Sequence, residues 1–516
     1  MPLPANGTPW PPKALDGVGD RLAEWSAWYE GTPEALRTAY QRGQTARFAD
    51  DLNRPAQYRG GVTGALARFW WGRPIEAAEG QRVDQLHVPL AADLCQASAD
   101  LLYAEPPTFT LDDQAAQARL EEFVDDGLHT VLASGAELGA ALGGRYHRVT
   151  WDRSIHPDRP FLTTVDADAA WPEFRWDQLV AVTFWHVLAR ETGGKVVRHL
   201  ERHELDAQGN GIVLHGLYEG TANDLGRMVP LTEHPTTAPL ATAVDADGAI
   251  TEGRTPGLLV EYIPNQRPQR RWRHHPVGRS LGRSDLDGVE GLMDALDEVY
   301  SSWMRDVRLA KSRLLIPDYL LEPGKAGQGA SFNLDREVIV PLHAAAPEDG
   351  SAEITQNQFK IRVDEHRATC EDLVQAILRS AGYSSQTFGE AGDGVAMTAT
   401  EVGARERRSY LTRDRKIRLE RPAVARLVEK LLSIDAAVFS GKATPARPRV
   451  TFGDAVQESP LLLAQTAQAL EVAQAASTET KVRTVHPDWT DDQVADEVER
   501  IKTERGAPVG DPFTIG

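Results

Sequence analysis

The residue types that most often carry chemistry are present, but their spacings match no common catalytic centre. His199 and His203 stand four apart, with Glu204 next to the second. A zinc-protease helix needs its glutamate directly after the first histidine, and Leu200 holds that place. The surrounding KVVRHLERHEL alternates like a strand, so both read as sheet histidines. A phosphate loop sets Gly-Lys before Ser or Thr, so that backbone N–H groups and the lysine cradle phosphate. Gly194-Lys195, Gly324-Lys325 and Gly441-Lys442 all lack that Ser or Thr. The glycines of 389–394 lack a flanking strand and dinucleotide-loop spacing, and read as a mobile loop. Cys95 and Cys370 have no evident histidine partner, and no Gly-x-Ser-x-Gly elbow occurs. No catalytic residue, cofactor site or metal site is therefore expected, and the chain is not read as an enzyme.

Three charged clusters remain. His274-His275, beside Arg270, Arg271, Trp272 and Arg273, reads as a solvated interface loop, with a phosphate or partner site as the alternative. Arg405, Arg407, Arg408, Arg413, Arg415, Lys416, Arg418 and Arg421 crowd one segment with Glu406, Asp414 and Glu420. Salt bridging to acidic neighbours suits that segment better than duplex binding. Asp287, Glu290, Asp294, Asp297, Glu298 and Asp306 share one side of a helical pattern. Acids spread over twenty residues of one helix cannot converge on a metal pair, so they read as a charged face.

The elements that must position these residues follow from periodicity and breakers. Thr32-Pro33-Glu34 starts a helix running to about Arg42. His87–Tyr103 is a second, closed by Glu105-Pro106-Pro107. A third spans Gln114 to Ala141. From Gly144 to Asn265 alternating, β-branched segments separated by Gly, Asn and Asp turns predict an antiparallel region of five or more strands. Ser284 then caps a strongly periodic helix, with Leu286, Val289, Leu292, Leu296, Val299, Trp303, Val307 and Ala310 on one stripe. Over 285–311 it would be roughly 40 Å long. Strands are expected at Leu314–Leu321 and Glu337–Leu342. Helix resumes at Lys360 and breaks at Gly382. A long helix from Thr400 to about Phe439 contains Pro422, which should kink it. A short strand at 446–455 and helices from Pro460, Ser477 and Thr490 complete an α+β chain.

Composition bounds the whole. At about 150 residues per domain, 516 residues give three or four domains. With 41% hydrophobic and 25% charged residues the chain is globular rather than disordered or collagen-like. A net charge of −19 argues against a protein that grips nucleic acid with basic side chains. Two cysteines cannot form a disulfide framework. MPLPANGTPWPP has five prolines and neither region of a secretory signal, and reads as an extended, poorly packed arm. Eighteen apolar residues never run together, so no transmembrane helix and no membrane partner are expected.

The order of elements, with VPLAADLCQASADLLYAEPP (88–107), GRSDLDGVEGLMDALDEVYSSWMRDVRLAKSRLLIP (282–317), MTATEVGARERRSY (397–410) and ASTETKVRTVHPDWTDDQVADEVERIKTE (476–504), resembles the portal, or head-to-tail connector, proteins of tailed double-stranded DNA bacteriophages. Phages with long non-contractile tails are the best match. The resemblance implies a phage portal fold that forms a ring, usually of twelve subunits, at one capsid vertex. DNA would be packaged and ejected through its channel. Carried over by position, residues 1–19 are an N-terminal arm. A wing spans 20–283, helical over 20–143 and β-rich over 144–265. Stem helices at 284–311 and 360–382 flank a small α/β clip at 312–359. A tunnel loop occupies 383–398, a long kinked wing helix and strand 399–456, and a helical crown and tail 457–516.

The same resemblance implies partners: like subunits, passing duplex DNA, the major capsid protein, the terminase large subunit and head-tail adaptor proteins. It places the protein in the virion, at the capsid portal vertex, after assembly in the host cytoplasm. Gly389, Glu390, Gly392, Asp393 and Gly394 would be the DNA-facing tunnel loop. Asp287, Glu290, Asp294 and Asp297 would line the channel, while the apolar stripe packs against neighbouring subunits. Asp318, Tyr319, Lys325, Asn333 and Arg336 would meet partners at the clip. Twelve such subunits would carry roughly 230 negative charges, which would centre a duplex without holding it. A capsid-assembly scaffold, or a metal-dependent head-assembly nuclease, are the alternative functions.

Overall fold

The computed structural model describes residues 3–37, 39, 86–309, 313–317, 339–342, 355–357, 361–389, 399–439, 441, 443–453, 460–486, 489 and 491–506. The chain divides into a larger unit, Met1–Ala391 with Glu406–Gly453, and a smaller one, Gly392–Arg405 with Asp454–Gly516. The fold is mixed, 49% helical and 21% strand.

Helices open the larger unit: α1 (Gly19–Glu30), α2 (Leu90–Tyr103), α3 (Gln114–Asp125) and α4 (Leu128–Leu142). Residues 33–37 are also helical, and Thr32 Oγ1 accepts from the Ala35 N–H as the expected cap. The single helix expected over 114–141 is two. Gly127, at φ +99°, ends the first and opens the second, a conformation that costs glycine little. Gly135, Ala136, Gly139 and Ala140 give α4 a small-residue face. That face lies so close to Arg145 and His147 that a Cβ on Gly135 would stand 2.6 Å from the His147 ring.

The β-rich region holds eight strands in two antiparallel sheets. The first joins β2 (Gly144–Thr150), β3 (Phe161–Asp166) and β9 (Val260–Pro264) in the order β3-β2-β9. The second comprises β4 (Ala170–Arg175), β5 (Gln178–Arg190), β6 (Val196–Leu205), β7 (Gly211–Thr221) and β8 (Asp224–Val229), paired in sequence. A separate pair joins β1 (Thr108–Thr110) to β13 (Arg449–Thr451).

The N-terminal arm is not loosely packed, as its prolines had suggested. Residues 4–10 run along the free edge of β8, where Gly7 N–H donates to Gly226, Trp10 N–H to Asn223, and Leu225 N–H back to Thr8. An edge position tolerates prolines because their missing donors would face solvent, and covering the edge removes an aggregation template. Trp10, 3% exposed, stands edge-on to Trp185 at 5.2 Å. Burying it contributes on the order of 2 kcal/mol.

Beyond the sheets, α5 (Glu290–Leu309) and α6 (Val363–Ala381) form a pair. Between them in sequence lie β10 (Arg313–Pro317), β11 (Ile339–Leu342) and β12 (Thr355–Asn357), a three-stranded sheet with β10 central, parallel to β11 and antiparallel to β12. The 40-residue helix α7 (Ala399–Val438) follows and continues through Pro422. Its part within the larger unit buries Val424, Leu427, Val428 and Leu431 against α2, α3 and α4 side chains. The smaller unit contains α8 (Pro460–Val472), α9 (Thr478–Val485) and α10 (Asp491–Gly506), and Ser477 caps α9 through the Thr480 N–H.

Candidate functional site

The stretch with the strongest helical pattern begins later than its sequence suggests. Ser284 Oγ does accept from the Leu286 N–H, yet residues 285–289 are turns and α5 starts at Glu290. Gly288, at φ +94°, interrupts the register. The helical part is thus about 30 Å long rather than 40. The apolar stripe expected to meet neighbouring subunits closes instead on the subunit's own core. Leu286, Val289, Met293 and Leu296 are at most 3% exposed, and Leu292, Val299 and Trp303 pack against the same cluster. The reason is that the antiparallel partner α6, through Ile377 and Leu378, and the helices and sheets of the same subunit complete that core.

Polar contacts fix the pair at both ends. At the end next to the strand insert, Asp306 accepts from Arg362 and His366 at 3.0 Å each, and the His366 ring stacks on Trp303 at 6.0 Å. The His366 and Arg362 hydrogen bonds hold the Asp306 carboxyl below its ordinary pKa. At the opposite end Asp285, 2% exposed, is the hub of a buried network. Its Oδ1 accepts from Asn265 Nδ2 (2.8 Å) and Gln266 Nε2 (2.6 Å). Its Oδ2 accepts from the Tyr383 hydroxyl (2.8 Å) and from Lys416 Nζ (2.6 Å). Lys416 donates also to Ser98 Oγ. Four segments therefore meet on one carboxylate, the end of β9, the entry to α5, the exit of α6 and α7, and Lys416 ties in α2 through Ser98. Burial, and next the Asp285 charge, push the Tyr383 phenol well above its usual range, so it stays a donor.

A second buried pair braces the same helix. Arg145 forks onto Glu420 with two 2.8 Å bonds, and Tyr103 donates to the same carboxylate at 3.1 Å. The cationic segment 405–421 is thus partly internal wiring, as salt bridging had suggested, and none of these three contacts was read individually from the sequence. A signal existed: Arg413, Lys416 and Glu420 recur at three- and four-residue spacing in phase with buried Ile417, Val424 and Leu427.

The acids of α5 are bound mostly within the subunit. Asp297 is 1% exposed, and its carboxylate accepts from the Val88 N–H (2.8 Å) and meets His87 Nδ1 (2.9 Å). Asp287 pairs with Arg271 at 2.8 Å. Glu290 accepts from Trp25 Nε1 at 3.0 Å and sits 3.4 Å from both Arg21 and Arg271. Asp294 is half-buried and, with Asp20, Glu24 and Glu290, lines a cavity of about 470 Å³ beside α1. Glu298 is exposed. Gly389 ends a short turn at φ +74°, whereas Glu390, Gly392, Asp393 and Gly394 lie outside the described residues. So do Asp318, Tyr319, Lys325, Asn333 and Arg336.

His199 and His203 lie on β6 as expected for sheet residues. His199 Nε2 is 3.1 Å from His215 Nδ1 with the rings stacked, and His203 Nε2 is 2.6 Å from Glu201. Burial lowers both His199 and His215 to a pKa of about 4. Among the described residues no group of three or more His, Cys, Asp or Glu side chains is placed to hold a metal ion.

A family model described as phage portal protein, SPP1 Gp6-like, matches residues 20–509. The chain belongs to the phage portal protein family. Portal proteins are structural components of the virion that act in DNA packaging, assemble as oligomeric rings and associate with the capsid. No curated protein matches this portal chain. Among its described residues no helix is long and apolar enough to cross a membrane.

Proposed function

We propose that copies of this chain close into a ring at one capsid vertex, and that duplex DNA enters and leaves the capsid through the ring's centre. The observation that carries this reading is the family match over 20–509, with an antiparallel helix pair braced at both ends and a small sheet inserted between its helices. In this reading α5 and α6 are the stem and the insert is the clip, which docks the packaging motor and later the head-tail adaptor proteins. The segment after Gly382 is the tunnel loop, with Gly389, Glu390, Gly392, Asp393 and Gly394 facing DNA. Residues 457–516 are the crown. The assembly takes place in the host cytoplasm.

The chemistry the duplex needs is repulsion from all sides, since a channel that bound phosphates would hold the load it must pass. Half-buried Asp287 in the turn before α5, half-buried Glu290 and Asp294 and exposed Glu298 on it supply that charge, while Asp297 ties the helix to Val88 from behind. Their cationic partners Arg21 and Arg271 dilute the field locally, so the net −19 of the whole subunit matters more than any single acid. Native mass spectrometry of the purified full chain tests the reading. A single closed stoichiometry, near twelve, is expected; a monomer across the accessible concentration range would contradict it.

A further inference from the structure

The hairpin joining β4 to β5 turns on two residues, Trp176 and Asp177, both at positive φ (+52° and +59°). Such a two-residue turn favours Asn-Gly, because side chains crowd the backbone there. A tryptophan in that conformation and 92% exposed gains nothing from its own subunit. The tip is also held in place: Ser280 Oγ donates to Asp177 Oδ1 at 2.6 Å, and Arg279 stands 3.8 Å from the same oxygen.

Ser280 belongs to a loop with an unusual charge. Between Glu261 and Asp285 there are six arginines and no acid, in a chain whose balance is −19. The loop is rigidly seated: Trp272 is 7% exposed against Trp25, and buried Gln269 donates to the Gly282 carbonyl at 2.9 Å. Arg271 pairs with Asp287, and Arg270, Arg273 and Arg279 are exposed. A rigid cationic surface thus stands next to a bare indole.

The complementary surface is on the same chain. On α6, Asp364, Glu365, Glu371 and Asp372 are all exposed; seven-residue spacing stacks Asp364 over Glu371 and Glu365 over Asp372, on the side away from buried Ile377, and Arg367 pairs with Glu371 at 2.7 Å. At the same end of the helix pair Val307 and Val363 are 39% and 43% exposed. That acidic face with apolar neighbours matches arginines beside an indole in both charge and polarity. We propose that the Trp176 tip and the arginine loop form one docking surface, and that its occupant is the acidic face of α6 in a second copy of this chain. The contact joins two different patches, so it propagates head to tail and closes only as a ring. It rests on the ring reading above and assigns the residues that join neighbouring subunits.

Sedimentation velocity on the full chain tests it with Arg270→Glu/Arg273→Glu, with Glu365→Arg/Asp372→Arg, and with all four changes together. All four side chains are exposed, and unchanged melting of each variant confirms its fold. Each reversed surface alone should raise the concentration needed for assembly by at least about tenfold, and the combined variant should recover most of that loss. Trp176→Ala should weaken assembly with both charge sets native. Single reversals that assemble like the unmodified chain would overturn the proposal. So would losses that the combined variant fails to recover, since the arginine surface would then serve another acidic partner. If the unmodified chain itself forms no ring, the ring reading fails first, which is a separate result.

Discussion

Asp285 ties distant parts of the chain together, because its buried carboxylate accepts from Asn265, Gln266, Tyr383 and Lys416. Removing one member of a buried ion pair leaves a charge without compensation, which costs about 3–5 kcal/mol. Lys416→Met should therefore lower the urea midpoint of the larger unit markedly. Tyr383→Phe should cost about 1–3 kcal/mol, the usual range for an acceptor left short of a buried donor. Adding Asp285→Asn to Lys416→Met should be less damaging than Lys416→Met alone, because the uncompensated charge is gone. The histidine pair on β6 and β7 gives a pH signature. Burial holds His199 and His215 near pKa 4, below the unfolded value of about 6.5. A histidine held neutral stabilises the fold fully above pH 6.5, and that contribution is lost as pH falls toward 4. The melting temperature should fall across that window, and His199→Gln with His215→Gln should flatten the fall. An equally steep fall in the double variant would assign the acid sensitivity elsewhere.

At the scale of elements, the sequence carried most of what local periodicity controls. Helix α2, the β-rich region, the strand ending at Leu342 and the capped helix at Ser477 all stand close to their expected bounds, and the strand expected from Leu314 starts at Arg313. The misreadings share one physical origin, contacts between segments distant in sequence. Apolar spacing runs through Gly127, but φ +99° there splits the helix. Ser284 has a cap's chemistry, yet its hydroxyl is also drawn to the Ala140 and Ala141 carbonyls, so α5 starts six residues on. Proline content in the arm predicted looseness, whereas the edge of β8 provides backbone partners that no local pattern reveals. Gly143 shows how tightly these junctions fit. Its φ is +82°, and a Cβ would lie 2.8 Å from the Gly282 carbonyl. Gly143→Ala should cost more than the roughly 1–2 kcal/mol of left-handed backbone alone. Gly257→Ala, at φ +85° with nothing within 4 Å of a Cβ, should cost only that backbone part. Thermal melts of the two variants compare them directly, and equal losses would show that the junction is looser than drawn.

For the whole molecule, charge is the property read most differently once the fold is known. A balance of −19 argues against a protein that grips DNA, and it suits a channel that must let DNA slide. The structure adds that this charge is not spread evenly. Several acids of α5 are bound to arginines and backbone of their own subunit, α6 exposes four acids on one side, and the 262–284 loop holds six arginines and no acid. Such segregation was invisible in a net count, because it depends on which side chains turn inward. It also sets the salt response: assembly driven by loop-to-helix attraction should weaken as ionic strength rises and the screening length shortens. The most direct measurement is a cryo-electron microscopy reconstruction of the purified, assembled chain. A closed ring is predicted, with a central opening that admits a B-form duplex and with α5 and the turn before it presenting Asp287, Glu290, Asp294 and Glu298 toward it. Open filaments, a centre filled with protein, or α5 turned away from the opening would contradict a portal channel built in this way.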